Sequence, residues 1–211
     1  MRLVLSLVLA VVLAAAAASA ERPVRIVVLG DSLASGYGLP AGAAFPEKLA
    51  RALAAKGIAA SVTNAGLAGD TASGGAQRLD WSVPEGTDAV ILELGANDAL
   101  RGIEPAVTRA ALDSILRRLT ARGIAVLLCG MRAPPNMGRD YALAFERIYP
   151  ELADTYQALF YPFFLDGVAA VPQLNQPDGI HPSAAGVDVI VAGILPKVEE
   201  LIARAKGRRG S

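Results

Sequence analysis

The stretch VRIVVLGDS, residues 24–32, runs through apolar, mostly β-branched positions broken only by Arg25, then stops on a glycine and two polar residues. Its apolar residues are continuous rather than alternating. A strand made of them is covered on both faces, as a central strand of a parallel sheet is. The same grammar repeats along the chain. A helical segment at 44–57 carries Pro46 near its start and Gly57 just past its end. A second strand is expected at 58–64, a short helix at 71–81 and a third strand at 88–94. A helix follows at 104–123, opened by Pro105 and closed by Gly123, then a fourth strand at 124–129. The segment 139–157 reads as helical with Pro150 interrupting it, and 158–164 as the fifth strand. The last helix spans 182–206, kinked or broken near Pro196. Strands separated by helices imply right-handed βαβ crossovers. The expected fold is therefore a three-layer α/β/α sandwich around a five-stranded parallel sheet.

The chain has 211 residues. Residues 1–20 read as a signal peptide: Arg2, an apolar run from Leu3 to Ala18, and a small-residue cleavage pattern at Ala18-Ser19-Ala20. The run lacks a basic flank that would keep it as a membrane anchor, so the protein is expected to be exported, periplasmic or secreted. Residues 21–211 are then one domain beginning at Glu21, with no internal repeat or linker. Loss of Arg2 leaves 19 basic against 20 acidic residues. That balance favours neither nucleic acid nor an anionic membrane as a partner, and nothing in it sets an oligomeric state. Cys129 is the only cysteine and directly follows the apolar run at 124–128, which suits a buried core thiol. One histidine and one cysteine cannot furnish a zinc site.

In an open parallel sheet, ligands bind beyond the carboxyl ends of the strands. Polar, glycine-bearing loops follow the first three strands there: GDSLASGYG (30–38), NAGLAGDT (64–71) and GANDAL (95–100). A fourth loop, PDGIHP (177–182), precedes the last helix, can reach the same edge, and holds the only histidine. Ser32 could cap a helix, Asp178 could make a plain turn, and Gly69 and Asn97 could be ordinary loop residues. Together they make a different set. A serine hydroxyl needs a base to attack a carbonyl, and His181 is the one imidazole available. The imidazole needs an orienting acceptor, which Asp178 can supply from three residues away. A tetrahedral oxyanion needs donors, which the Ser32 and Gly69 amides and the Asn97 side chain can offer. Gly30 is expected to allow the sharp turn into Ser32. The pentapeptide G-x-S-x-G is absent, which argues against the α/β-hydrolase form of this chemistry.

These four loops, in order, resemble the four blocks of the SGNH (GDSL-type) hydrolases. LRG (100–102), PPNMGRDYALAFERIYPELA (134–153), YPFFLDGVA (161–169) and QPDGIHPSAAG (176–186) are similar to the bacterial thioesterase I, lysophospholipase and arylesterase subgroup. The resemblance implies a flavodoxin-like SGNH hydrolase fold and a serine esterase with no cofactor. In it Ser32 is the nucleophile, Gly69 and Asn97 complete the oxyanion hole, and Asp178 and His181 form the acid–base pair. The expected partner is a small-molecule ester or lipid. Ala99 departs from the pattern, since close relatives often carry glycine there, and is expected to stiffen the loop after Asn97. Asp31, Asp70 and Asp98 are expected to be loop-fixing hydrogen-bond acceptors rather than metal ligands, because GAND lacks the extra histidine of metallophosphoesterase-like sequences. The apolar loop at 131–138 is either a substrate wall or a stiff connection. The alternative from another class is a non-catalytic flavodoxin-like protein that binds a ligand or glycan. It has neither G-x-G-x-x-G in the first turn nor a P-loop to support it.

Overall fold

A computed structural model describes residues 22–209. The expected signal peptide, residues 1–20, lies outside the described residues. Five parallel strands form one sheet in the order β2-β1-β3-β4-β5. They are β1 (Val24–Gly30), β2 (Ala60–Gly66), β3 (Ala89–Glu93), β4 (Ala125–Cys129) and β5 (Leu159–Tyr161). Every residue of β3 and β4 is buried, as is every residue of β1 but Arg25. The edge strand β2 carries Ser61, Thr63 and Asn64 and is largely accessible.

The helices are α1 (Ser32–Ser35), α2 (Phe45–Ala55), α3 (Ala72–Gln77), α4 (Leu79–Ser82), α5 (Ala96–Leu100), α6 (Pro105–Ala121), α7 (Arg139–Glu146), α8 (Ile148–Tyr156) and α9 (Ala184–Arg209). On one side of the sheet α9 packs on α2, and on the other α6 packs on α3 and α8. The buried faces follow helical spacing: Phe45, Leu49 and Leu53 on α2; Leu112, Ile115, Leu116 and Leu119 on α6; Ile190, Ile194, Val198 and Leu201 on α9. The sheet is the expected three-layer sandwich. Its winding reverses between β1 and β3, which opens a crevice beyond their carboxyl ends.

Several boundaries differ from expectation, each for a local reason. Ile58 and Ile124 were expected to open strands, but both finish helices. Their amides bond back to the Leu53 and Leu119 carbonyls across left-handed Gly57 and Gly123, so the strands begin later. The fifth strand stops at Tyr161 because Pro162 has no N–H for the ladder. The segment 71–81 forms two short helices, parted at Arg78. Residues 139–156 break at Arg147, one turn before Pro150, where the proline ring would meet the carbonyl of residue 146; Pro150 itself lies in the first turn of α8, where no amide is needed. The last helix is not broken at Pro196. It runs through, with Ala192, whose carbonyl loses its partner, on the solvated side, and Ile194 and Val198 buried on the other.

Candidate active site

β1 ends at Gly30, and its conformation there is ordinary rather than left-handed, contrary to the expected turn role. The glycine is required by proximity: a Cβ would lie 2.6 Å from the Ala34 Cβ and 2.6 Å from Glu93 Oε2. Asp31 then caps α1, its Oδ1 accepting the Leu33 amide at 3.0 Å, and Ser32 is the first residue of that helix. The last loop brings His181 to it. His181 Nε2 lies 3.0 Å from Ser32 Oγ, and Nδ1 lies 2.7 Å from Asp178 Oδ2. The Ser-His-Asp contact that the sequence suggested is present across 149 residues of chain.

The turn that holds the pair is built by Asp178 itself. Its Oδ1 accepts the Ile180 amide at 2.9 Å and the His181 amide at 3.0 Å, while Gly179 takes the left-handed conformation the turn needs. The His181 amide, then the Ile180 amide and the imidazole, hold the Asp178 carboxyl down at about 2. Gln176 anchors the loop: its amide donates to the Tyr37 carbonyl at 2.8 Å and the Pro182 carbonyl at 3.1 Å. The Tyr37 ring lies 4.8 Å from the imidazole, centroid to centroid.

Asn97 lines the same crevice, and Gly69 is tied to its helix through Arg101. Asn97 sits in the first turn of α5, and its Nδ2 donates to Asp31 Oδ2 at 3.1 Å, leaving its second N–H for the crevice. Gly95, at φ 119°, opens that helix against Tyr149, whose hydroxyl donates to the Leu94 carbonyl and stands where a Cβ on residue 95 would be. Gly69 is left-handed at φ 80°, and Arg101 at the end of α5 donates to its carbonyl at 2.8 Å. Ala99 is buried inside α5 rather than in a loop, so its effect is on the helix, where alanine is favoured over glycine by about 1 kcal/mol.

The three aspartates each have protein donors. Asp31 is described above. Asp70 accepts the Thr71 amide and Arg78 Nε, and Asp98 accepts the Ala72 amide and the Thr108 hydroxyl. Burial, partly offset by the Leu33 and Asn97 donors, pushes the Asp31 carboxyl up to about 6. Beside Ser32, Asn97 and His181 opens a cavity of about 500 Å³. Its walls are mainly apolar. Leu33 and Leu100 come from the first and third loops, Met131, Ala133, Pro134 and Pro135 from the loop at 131–138, and Phe163 and Leu165 from beyond β5. The first part of the 131–138 segment, Met131 to Pro135, is thus a wall of the cavity. One cation, Arg132, stands at it with its guanidinium 4.5 Å over the Phe163 ring.

Residues 28–189 match the GDSL-like Lipase/Acylhydrolase family. The chain belongs to that family. It is 38% identical over 201 residues to the esterase TesA of Pseudomonas aeruginosa, covering 95% of this chain and 98% of the relative. It is 38% identical over 178 residues to the thioesterase 1/protease 1/lysophospholipase L1 of Escherichia coli K12, covering 84% of each. The crystal structure of AlinE4, a SGNH-hydrolase family esterase, matches with a TM-score of 0.73 at 45% identity, over 86% of this chain and 98% of that one. The protein is accordingly a hydrolase of the GDSL-like family.

Sequence reasoning missed several residues that build this GDSL-like site. Arg78 reaches the Gly30 and Ala65 carbonyls, the Ser82 hydroxyl and Asp70, joining the ends of β1 and β2 to the Gly69 loop. Gln176 and Tyr37 fix the imidazole loop, and Glu93 lies beneath Ser32. An arginine in a helix and a glutamine in a loop look like surface residues in a sequence. Only Glu93, a lone carboxylate inside the apolar run at 89–94, carried a readable signal.

Proposed function

We propose that the protein is an exported serine esterase that cleaves carboxylic esters of acyl, aryl or lysophospholipid type, and thioesters, through an acyl-enzyme on Ser32. The observation that carries this reading is the line from Asp178 Oδ2 through His181 to Ser32 Oγ, at 2.7 and 3.0 Å, beside an apolar cavity. His181 Nε2 takes the Ser32 proton as Oγ attacks the carbonyl carbon. The carbonyl oxygen becomes an oxyanion, met by the Ser32 and Gly69 amides and the free N–H of Asn97. The C–O or C–S bond then breaks, and His181 returns the proton to the leaving alcohol or thiol. Water, deprotonated by His181, attacks the acyl-enzyme and releases the acid. Asp178 holds the imidazole in the tautomer that presents a bare Nε2. The apolar walls suit the acyl or aryl part of the substrate.

Ser32→Ala should abolish hydrolysis of p-nitrophenyl esters, and a fluorophosphonate probe should label Ser32 and no other residue. A label elsewhere, or full activity in the alanine variant, overturns the assignment. Lysophospholipid, aryl acetate and acyl-thioester arms of the same assay rank the substrate classes. Export is tested separately: cleavage after Ala20 requires that protein recovered from the periplasm or medium begin at Glu21, and an intact Met1 terminus there refutes it.

A further inference from the structure

Directly behind Ser32 the end of β3 buries a carboxyl that the reaction above does not use. Glu93 is 0% exposed and pairs with Gly30 across the sheet. Its Oε2 accepts the amide of Asp31, the residue just before Ser32, at 3.3 Å. The fit is tight enough to forbid a side chain at residue 30. The other oxygen, Oε1, is buried without a hydrogen-bond partner among the described residues.

The titratable groups facing Glu93 are Asp31 from the β1–α1 turn, Cys129 from β4 and Tyr149 from α8. None is a cation. Arg78, which reaches the neighbouring Gly30 carbonyl, is committed to Asp70. Two carboxyls therefore share one dry region in which, among the described residues, no lysine or arginine pairs with either and only His181 acts on Asp31 as a positive group; ionising both there is strongly unfavourable. Asp31 is the one suited to hold the charge, because the Leu33 amide and the Asn97 side chain donate to it. Glu93 has one backbone donor, the Asp31 amide, on Oε2. Burial, and then the Asp31 charge, push its carboxyl well above the usual range.

We propose that Glu93 is a positioning residue for acyl transfer: a protonated carboxyl that holds the Asp31 amide and so fixes both the Ser32 turn and the Asp31 carboxylate that aims Asn97. Its neutrality matters as much as its contacts. A second negative charge behind the donors would oppose the oxyanion they stabilise. The inference rests on Ser32 as nucleophile and Asn97 as oxyanion donor.

Two variants and one spectrum test it. Glu93→Gln keeps the accepting oxygen and the neutral state, whereas Glu93→Met fills the space without an acceptor. On a neutral p-nitrophenyl ester, Glu93→Gln should keep kcat within about threefold, while Glu93→Met should lower kcat about ten- to a hundredfold with KM held within about threefold. The infrared difference between wild type and Glu93→Gln at neutral pH should show the stretch of a protonated carboxyl. Carboxylate bands in its place overturn the proposal. So does equal kcat in the two variants, whether both are active, which makes Glu93 mere filling, or both impaired, which makes its charge essential. If Glu93→Met fails to fold, the infrared difference and the kcat of Glu93→Gln still decide. The infrared band does not depend on turnover, so it survives Ser32→Ala, and failure of the nucleophile assignment is distinguishable from failure of this one.

Discussion

Asp178 divides two jobs between its two oxygens. Oδ1 holds the turn through the Ile180 and His181 amides, and Oδ2 meets the imidazole. The amide bonds come first in holding its carboxyl down at about 2. The sign is that of a stabilised carboxylate: the group stays ionised until the pH falls toward that value, so it adds no limb to the rate profile near neutrality. The division of labour also predicts a mutant phenotype. Asn at 178 can keep Oδ1 and the turn, but an amide nitrogen facing Nδ1 removes the acceptor that sets the tautomer. Asp178→Asn should therefore lower kcat by about 10²–10⁴ with little change in KM or melting temperature. The lower end is favoured because the Asp178 side chain is 39% exposed and water can stand in as acceptor. A loss of only a few-fold would mean that another group orients His181, and would reduce Asp178 to a turn residue.

Among the elements, legibility followed burial. The fully buried strands β3 and β4 and the core of β1 stood out because covering both faces demands unbroken apolar runs, and those runs cannot be confused with loops. The ends were harder. Ile58 and Ile124 have strand-like side chains yet close helices, because a left-handed glycine before each turns the amide back onto the helix. No local pattern distinguishes an isoleucine that closes a helix from one that opens a strand. The site showed the same split. The proposed residues Ser32, Gly69, Asn97, Asp178 and His181 stood out because each sits in a polar loop at the sheet edge that ligands use. Arg78 and Gln176 did not, because the bonds by which they tie the site together reach partners 13 to 139 residues distant. Glu93 lies between: its oddity was visible, but its contact with the Asp31 amide depends on the β1–β3 register.

The molecule as a whole is tied at the end opposite the site. Asp88, just before β3, accepts a two-pronged bond from Arg22 at 2.8 and 2.9 Å, the Arg25 amide at 2.7 Å, and Arg209 at the end of α9. Arg209 also donates to the Arg22 and Pro23 carbonyls, 187 and 186 residues away. One carboxylate thus joins the first strand and the last helix to the centre of the sheet. Burial works against its charge, but the Arg209 and Arg22 guanidiniums and the Arg25 amide outweigh it and hold the carboxyl well below its ordinary range. For a depressed acid the stabilisation is complete above the unfolded value, about 4, and is lost as pH falls through the folded one. Asp88→Asn should therefore cost about 2 kcal/mol at neutral pH, less than for a fully enclosed pair because Arg22 is half exposed and recovers water. For a domain of this size that is a drop of about 4–8 °C in melting temperature. The gap between variant and wild type should narrow as the pH is lowered from about 4, and kcat should not change, since Asp88 lies across the sheet from Ser32. Scanning calorimetry across that pH range, beside an ester assay, separates the outcomes. A constant gap at every pH would show that Asp88 acts through its shape rather than its charge, and a fall in kcat would show that strain at this end reaches the crevice.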